Sequence, residues 1–321
     1  MVDARRIRIV IISQGNLPKA GFCPKVEICY AKYLLFALAV SILLLFSACG
    51  GRGAGSFDSN RAYEHVRVQV AFGPRPVGSE ALKRTAAYIE QELANNGWTY
   101  SAQDFEYRNT PIHNILAQKG PDIPGRPTIL LGAHYDTRPL ADRDSDPSKR
   151  GQPILGANDG ASGVAVLLEF ARVYDPAQSR INVVLAFFDA EDKGGIDGWP
   201  FSVGADAVAE QWATRLDAMI LVDMIGDADQ QIYFEQASDP GIRRELWAVA
   251  AKLGYQAHFI SQVDRAIADD HVPFLQRGVP AVDIIDFNYP YWHTMADTAD
   301  KVSPQSLERV GRVLLEYVYT K

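Results

Sequence analysis

Residues 161–192 read ASGVAVLLEFARVYDPAQSRINVVLAFFDAED. The first part, Ala161–Tyr174, has helical spacing but is apolar on nearly every face. That pattern predicts a helix buried on all sides. The next apolar run, Ile181–Phe188 (INVVLAFF), is continuous rather than alternating. Such a run fits a central parallel strand covered by helices on both faces. It leads directly into Asp189-Ala190-Glu191-Asp192.

Similar units lie on either side. Asn114–Ala117, Thr128–Ala133, Ala218–Met224 and Val279–Ile285 read as strands. Ser79–Asn96, with a Ser start and a Gly97 stop, reads as a helix, as do Ile242–Leu253 and Pro304–Tyr319. The alternation predicts one three-layer α/β/α domain with a mostly parallel central sheet, spanning residues 58–321. In such open sheets ligands sit beyond the carboxyl ends of the strands.

The chain has 321 residues, 47% of them hydrophobic, and a formal charge of −7. This is globular composition, and the acidic balance argues against a nucleic-acid partner. All three cysteines, Cys23, Cys29 and Cys49, lie in the first fifty residues. The body therefore has no disulfide, no cysteine nucleophile and no thiolate metal ligand. Basic residues precede the apolar run Tyr33–Ala48, which ends in Phe46-Ser47-Ala48-Cys49-Gly50. Residues 1–49 read as an export leader, and the small residues before a lone cysteine resemble a bacterial lipoprotein box. That resemblance implies cleavage before Cys49, lipid on Cys49 and a body tethered to the cell envelope outside the cytoplasm. Residues 50–57, rich in Gly and Ser, read as a linker. The sequence sets no oligomeric state.

Chemistry-bearing residues follow the strands. His134-Tyr135-Asp136 comes after Thr128–Ala133, and Asn158-Asp159-Gly160 precedes the buried helix. Glu191-Asp192 follows Ile181–Phe188, and Asp223 ends the Ala218 run. Asp269-Asp270-His271 precedes the last strand, and Trp292-His293 follows it. Taken singly each has an ordinary explanation: Asp159 could cap a helix, and Asp269 or Asp270 could cap a turn. Gathered at one sheet edge, these acids and imidazoles would repel unless a cation were present. Imidazole with carboxylates and no thiolate is a ligand set for a zinc-like divalent ion. In the adjacent pair Glu191-Asp192, one carboxylate can bind metal while its neighbour moves protons.

The order His134-x-Asp136, Asn158-Asp159-Gly160, Glu191-Asp192, Asp223 and Trp292-His293 resembles the zinc-dependent aminopeptidase superfamily. That superfamily includes bacterial leucyl aminopeptidases and glutaminyl-peptide cyclotransferases, and the likeness runs from about Asn60 to Lys321. In a peptidase the resemblance implies two zinc ions on His134, Asp159, Asp192, Asp223 and His293, with Glu191 as general base. In a cyclase it implies one zinc on Asp159, Asp192 and His293. Glu191 then shuttles the proton, Asp223 hydrogen-bonds Asp269, and Trp292 stacks on the substrate. The stretch 269–280 (DDHVPFLQRGVP) resembles the cyclase branch, with Asp270 as a rival to Asp269. His134, Asp136 and His271 are expected to support the site or bind a second metal. The expected substrate is a peptide or protein with an N-terminal glutamine.

Overall fold

The computed structural model describes residues 56–321. The leader, Cys49 and most of the predicted linker lie outside the described residues. The domain begins slightly earlier than predicted. Phe57, read as linker, is buried, and its ring sits where a Cβ on Gly311 would go.

Helices α1 (Ser59–Ala71) and α2 (Glu80–Asn95) precede a hairpin, β1 (Thr99–Tyr107) and β2 (Thr110–Gln118). Then come β3 (Thr128–His134), α3 (Ala161–Val173), β4 (Asn182–Phe188), α4 (Val203–Trp212) and β5 (Ala218–Asp223). The chain closes with β6 (Ile232–Phe234), α5 (Pro240–Lys252), β7 (Phe259–Val263), α6 (Val272–Gln276), β8 (Ala281–Ile285) and α7 (Pro304–Thr320). A six-stranded sheet runs β1-β2-β4-β3-β5-β8. Its β1–β2 and β2–β4 pairings are antiparallel, and the others are parallel. β6 and β7 form a separate parallel pair.

The continuous apolar runs are explained by cover on both faces. Along β4, Val183, Leu185 and Phe187 join one cluster with α1, α3, α5 and α7. Val184, Ala186 and Phe188 join a second with α4 and α6. The predicted three-layer architecture is therefore present. α3 is buried throughout, and its Glu169 is fully enclosed but ion-paired to Arg172 at 2.6 Å. Ser79 caps α2 by accepting from the Leu82 N–H, and Gly97 follows with φ +77°.

Several elements were not foreseen. α1 buries Ala62, His65, Val66 and Gln69. That is helical spacing, but two of the four are polar, so an apolar pattern misses it. His65 is buried with Nδ1 2.6 Å from the Tyr88 hydroxyl, a place in the fold rather than the site. β1 is a polar edge strand whose residues are exposed or half-buried.

Close packing of α3 on the sheet sets the position of the loop before it. A Cβ on Gly163 would lie 2.3 Å from the Val222 carbonyl and 3.0 Å from the Ala133 Cβ. Gly163→Val should therefore cost about 2–3 kcal/mol by overpacking. The expected readout is a melting temperature lower by roughly 5–10 °C.

Candidate metal centre

Sheet register decides which side chains meet. Gly132 of β3 pairs with Leu221 of β5, so His134 and Asp223, two residues on, stand level and on one face. His134 Nε2 lies 3.0 Å from Asp223 Oδ1. Asp159, from the loop before α3, places Oδ1 3.3 Å from His134 Nε2. Its other oxygen, Oδ2, lies 3.6 Å from His293 Nε2. His293 Nε2 is 3.1 Å from Asp192 Oδ1. Asp159 is thus shared between two imidazoles. Two triads result, His134-Asp159-Asp223 and Asp159-Asp192-His293, each with ligand atoms within 4.8 Å of one another. Asp136 and His271 belong to neither triad.

Asp159 does not cap α3, whose N-cap residue is Gly160 with no side-chain hydrogen bond. It is Asp297 that holds the loop. Its carboxylate accepts the N–H of Asn158 at 2.9 Å and of Asp159 at 3.2 Å, and the Tyr289 hydroxyl donates to it at 2.7 Å. Asp136 does the same for the acidic pair, accepting the N–H of Glu191 at 3.1 Å and of Asp192 at 3.0 Å. His293 Nδ1 lies 3.2 Å from Asp142 Oδ1, which turns Nε2 toward the carboxylates. Arg138 donates to the Asp192 carbonyl at 2.9 Å. Arg75, fully buried, donates to the carbonyls of Leu155 and Gly156, each at 2.8 Å. Asp142, Asp297, Arg138 and Arg75 were not foreseen as site residues. No motif marked Asp297 or Asp142, and Arg138 lay in a charged loop to which the sequence assigned no role.

Three left-handed non-glycine residues mark the centre: Ala190 (φ 61°) before Glu191, Met224 (φ 44°) after Asp223, and His293 itself (φ 55°). Each conformation costs on the order of 1–3 kcal/mol and persists only where surroundings impose it. Here they aim the side chains at a common point.

The electrostatics are those of too many buried acids. Burial, with help from Asp269 and Asp192 and against His134, pushes Glu191 well above the ordinary carboxylate range. Burial and Asp159 push Asp192 up to about 6. Burial, against His134 and with Asp269, pushes Asp223 up to about 7. The imidazoles respond in kind. Burial lowers His293, but Asp192 and Asp142 outweigh it and raise it to about 9. Burial likewise disfavours a proton on His134, but Asp223, Asp136 and Asp159 raise it well above its ordinary value. Buried oxygens of Asp159 and Asp192 (Oδ2 in each) and His134 Nδ1 have no hydrogen-bond partner. Carboxylates and imidazoles, deeply buried, partly unpartnered and within ligand span, fit a divalent cation.

Asp269 and Asp223 make no hydrogen bond to each other among the described residues. Asp269 does help to raise Asp223. Asp269 accepts the Asp270 N–H at 2.6 Å, while both oxygens of Asp270 lack partners. His271 is fully buried with Nε2 3.3 Å from Glu235 Oε2, away from both triads. Trp292 is half-buried, with its ring centroid 4.0 Å from that of His293 and 4.9 Å from Phe287.

Since Asp297 grips the backbone that carries Asp159, its loss reads out on metal. Asp297→Ala should weaken metal binding by about 10–100-fold, measured by chelator competition. Unchanged affinity would remove Asp297 from the support of the site.

Residues 114–318 match Peptidase family M28. A glutaminyl-peptide cyclotransferase of Drosophila melanogaster is 28% identical over 286 residues, covering 76% of this chain and 77% of its own length. A leucine aminopeptidase precursor from Bacteroides thetaiotaomicron superposes with a TM-score of 0.77 at 32% identity, over 84% of this chain and 99% of that one. A glutaminyl cyclase from the same organism, solved with N-acetylhistamine, gives 0.76 at 32% identity, over 84% and 100%. With strands, buried acids and imidazoles in the arrangement described, and with a match spanning well over half its length, the chain belongs to peptidase family M28.

Proposed function

We propose that this protein is a zinc-dependent glutaminyl-peptide cyclotransferase. It would convert the N-terminal glutamine of peptides or proteins to pyroglutamate and release ammonia. The observation that carries the reading is the enclosed triad Asp159-Asp192-His293, with Glu191 beside it and Asp269 bearing on Glu191 and Asp223. The cyclase relatives and the cyclase-like stretch 269–280 support it over other family activities.

One zinc held by Asp159, Asp192 and His293 would supply Lewis acidity to the side-chain amide carbonyl of the glutamine. The chain's own residues do the rest. The α-amine attacks the amide carbon, a C–N bond forms, and the bond to the side-chain nitrogen breaks. Glu191, as a carboxylate whose burial raises its affinity for a proton, takes one from the amine and delivers it to the leaving nitrogen, so ammonia departs neutral. Asp269, Asp192 and Asp270 sustain that proton affinity as neighbouring acids. Trp292 offers an apolar wall that keeps water from the side chain. The reaction is intramolecular, so orientation supplies much of the acceleration.

A second reading has its own observation. Asp159 is shared with the triad His134-Asp159-Asp223, which suits an aminopeptidase with two metal ions and Glu191 as base for water. The aminopeptidase-named structural relative supports it. Mass spectrometry of a glutamine-initiated peptide after incubation with the zinc-loaded protein separates the two. Loss of ammonia alone supports cyclisation, and loss of the whole glutamine residue supports hydrolysis. In either case Glu191→Gln should lower turnover by about 100-fold or more with metal content unchanged.

We further propose that Cys49 carries lipid and tethers the catalytic body to the cell envelope, with export by the leader. The apolar run before a lone cysteine supports this. Cys49→Ser should move the protein from the membrane to the soluble fraction on fractionation of expressing cells. Unchanged membrane association would favour an uncleaved anchor.

A further inference from the structure

Beside the metal centre a groove of about 560 Å³ runs between β1, α4 and α6. Its lining includes Asp269 and Phe201. The Phe201 ring lies against Gly194, where a Cβ would come within 2.2 Å of it, and 6.0 Å from the Arg138 guanidinium. That guanidinium donates to the carbonyls of Asp192 and Gly194. The groove is therefore continuous with the site along two independent edges, Asp269 and Phe201.

The lining has a definite chemistry. Phe105, Tyr107 and Phe201 supply aromatic surface, and Phe201 is 39% exposed, one of few large apolar side chains left open. Asp206 and Glu210 of α4 also line it, and no lysine or arginine does among the described residues. Asp206 shares its charge with Arg277 at 2.9 Å, which leaves Glu210 as the outer negative charge. Near Trp292 and Phe287, Arg143 lies 5.1 Å over Trp292, and Arg265, ion-paired to Asp264 at 2.8 Å, lies 5.4 Å over Phe287. Glu210 in the groove and Arg143 beside Trp292 thus offer opposite charges to a chain leaving the centre. A peptide leaving the centre must choose between them.

We propose that the acidic groove receives the residues that follow the substrate's first residue. An apolar or aromatic second residue packs against Phe201 and Phe105, and a basic third residue reaches toward Glu210. This rests on the cyclase reading and extends it to a substrate class: peptides with glutamine, then an apolar residue, then lysine or arginine. An extended chain advances about 3.3 Å per residue, so the second and third residues reach only about 7 Å beyond the first. Phe201 and Glu210 become specificity-determining residues, while the chemistry stays with Glu191 and the metal ligands.

The test uses the full-length, zinc-loaded protein and three amidated peptides, Gln-Phe-Lys, Gln-Phe-Ala and Gln-Phe-Glu. Pyroglutamate formation is followed to give kcat and KM separately. The lysine peptide should exceed the glutamate peptide in kcat/KM by about three- to tenfold, the range of a partly exposed charge pair. The difference should sit in KM and shrink at high salt. Glu210→Lys should abolish or invert the preference. Phe201→Ala should raise KM for these peptides more than for a Gln-Gly-Lys amide. Equal kcat/KM across the three peptides, or a preference unchanged in Glu210→Lys, would overturn the proposal. So would preference for the glutamate peptide, which would route the chain past Arg143. Absence of pyroglutamate from every peptide is a different result, and it would sink the cyclase reading and the groove assignment together.

Discussion

Asp159 divides its carboxylate between two imidazoles, with one oxygen facing His134 and the other facing His293. Around it stand Asp192, Asp223 and Glu191, all buried. Taking carboxylates out of water costs several kcal/mol each unless positive charge compensates. Two histidines cannot balance this many acids, which is why Glu191, Asp192 and Asp223 are all driven toward their protonated forms. A divalent cation resolves the imbalance. Much of the surrounding structure reads as the means of holding these acids together until it does so.

That support is built from backbone as much as from side chains. Asp136 and Asp297 each grip two successive N–H groups beside a site carboxylate. Arg75 ties the carbonyls of residues 155 and 156 from beneath. Left-handed residues at the exits of β4 and β5, and at His293, aim side chains that a relaxed turn would send elsewhere. Support of this kind keeps a reactive geometry on the rigid end of a sheet, and its cost is met by the large apolar core on both faces.

The shared Asp159 also explains how one scaffold serves both peptide hydrolysis and cyclisation. When His134 and Asp223 hold each other at 3.0 Å, they can serve as a hydrogen-bonded pair beside a single ion. The same two groups are placed to complete a second ion's ligand set. The two readings thus differ in what His134 and Asp223 hold, not in the fold that carries them.

The sequence carried the architecture because continuous apolar runs such as Ile181–Phe188, alternating with helical patterns, fit strands that helices cover on both faces. It also carried the metal-centre candidates, since each follows a strand or precedes a buried helix at the sheet's carboxyl edge. It missed α1, whose core face includes His65 and Gln69, and β1, a polar edge. It could not find Asp142 or Asp297, because their work is done by backbone and ring contacts between residues as far as 151 positions apart. By itself the sequence determined the layers, the ligand types and their order along the chain, all set by local pattern. Only the tertiary structure decided that Asp159 is shared between two imidazoles, that Asp297 grips the loop carrying it, and that an acidic groove opens beside them. Those facts depend on strand register and loop geometry, which no local pattern encodes.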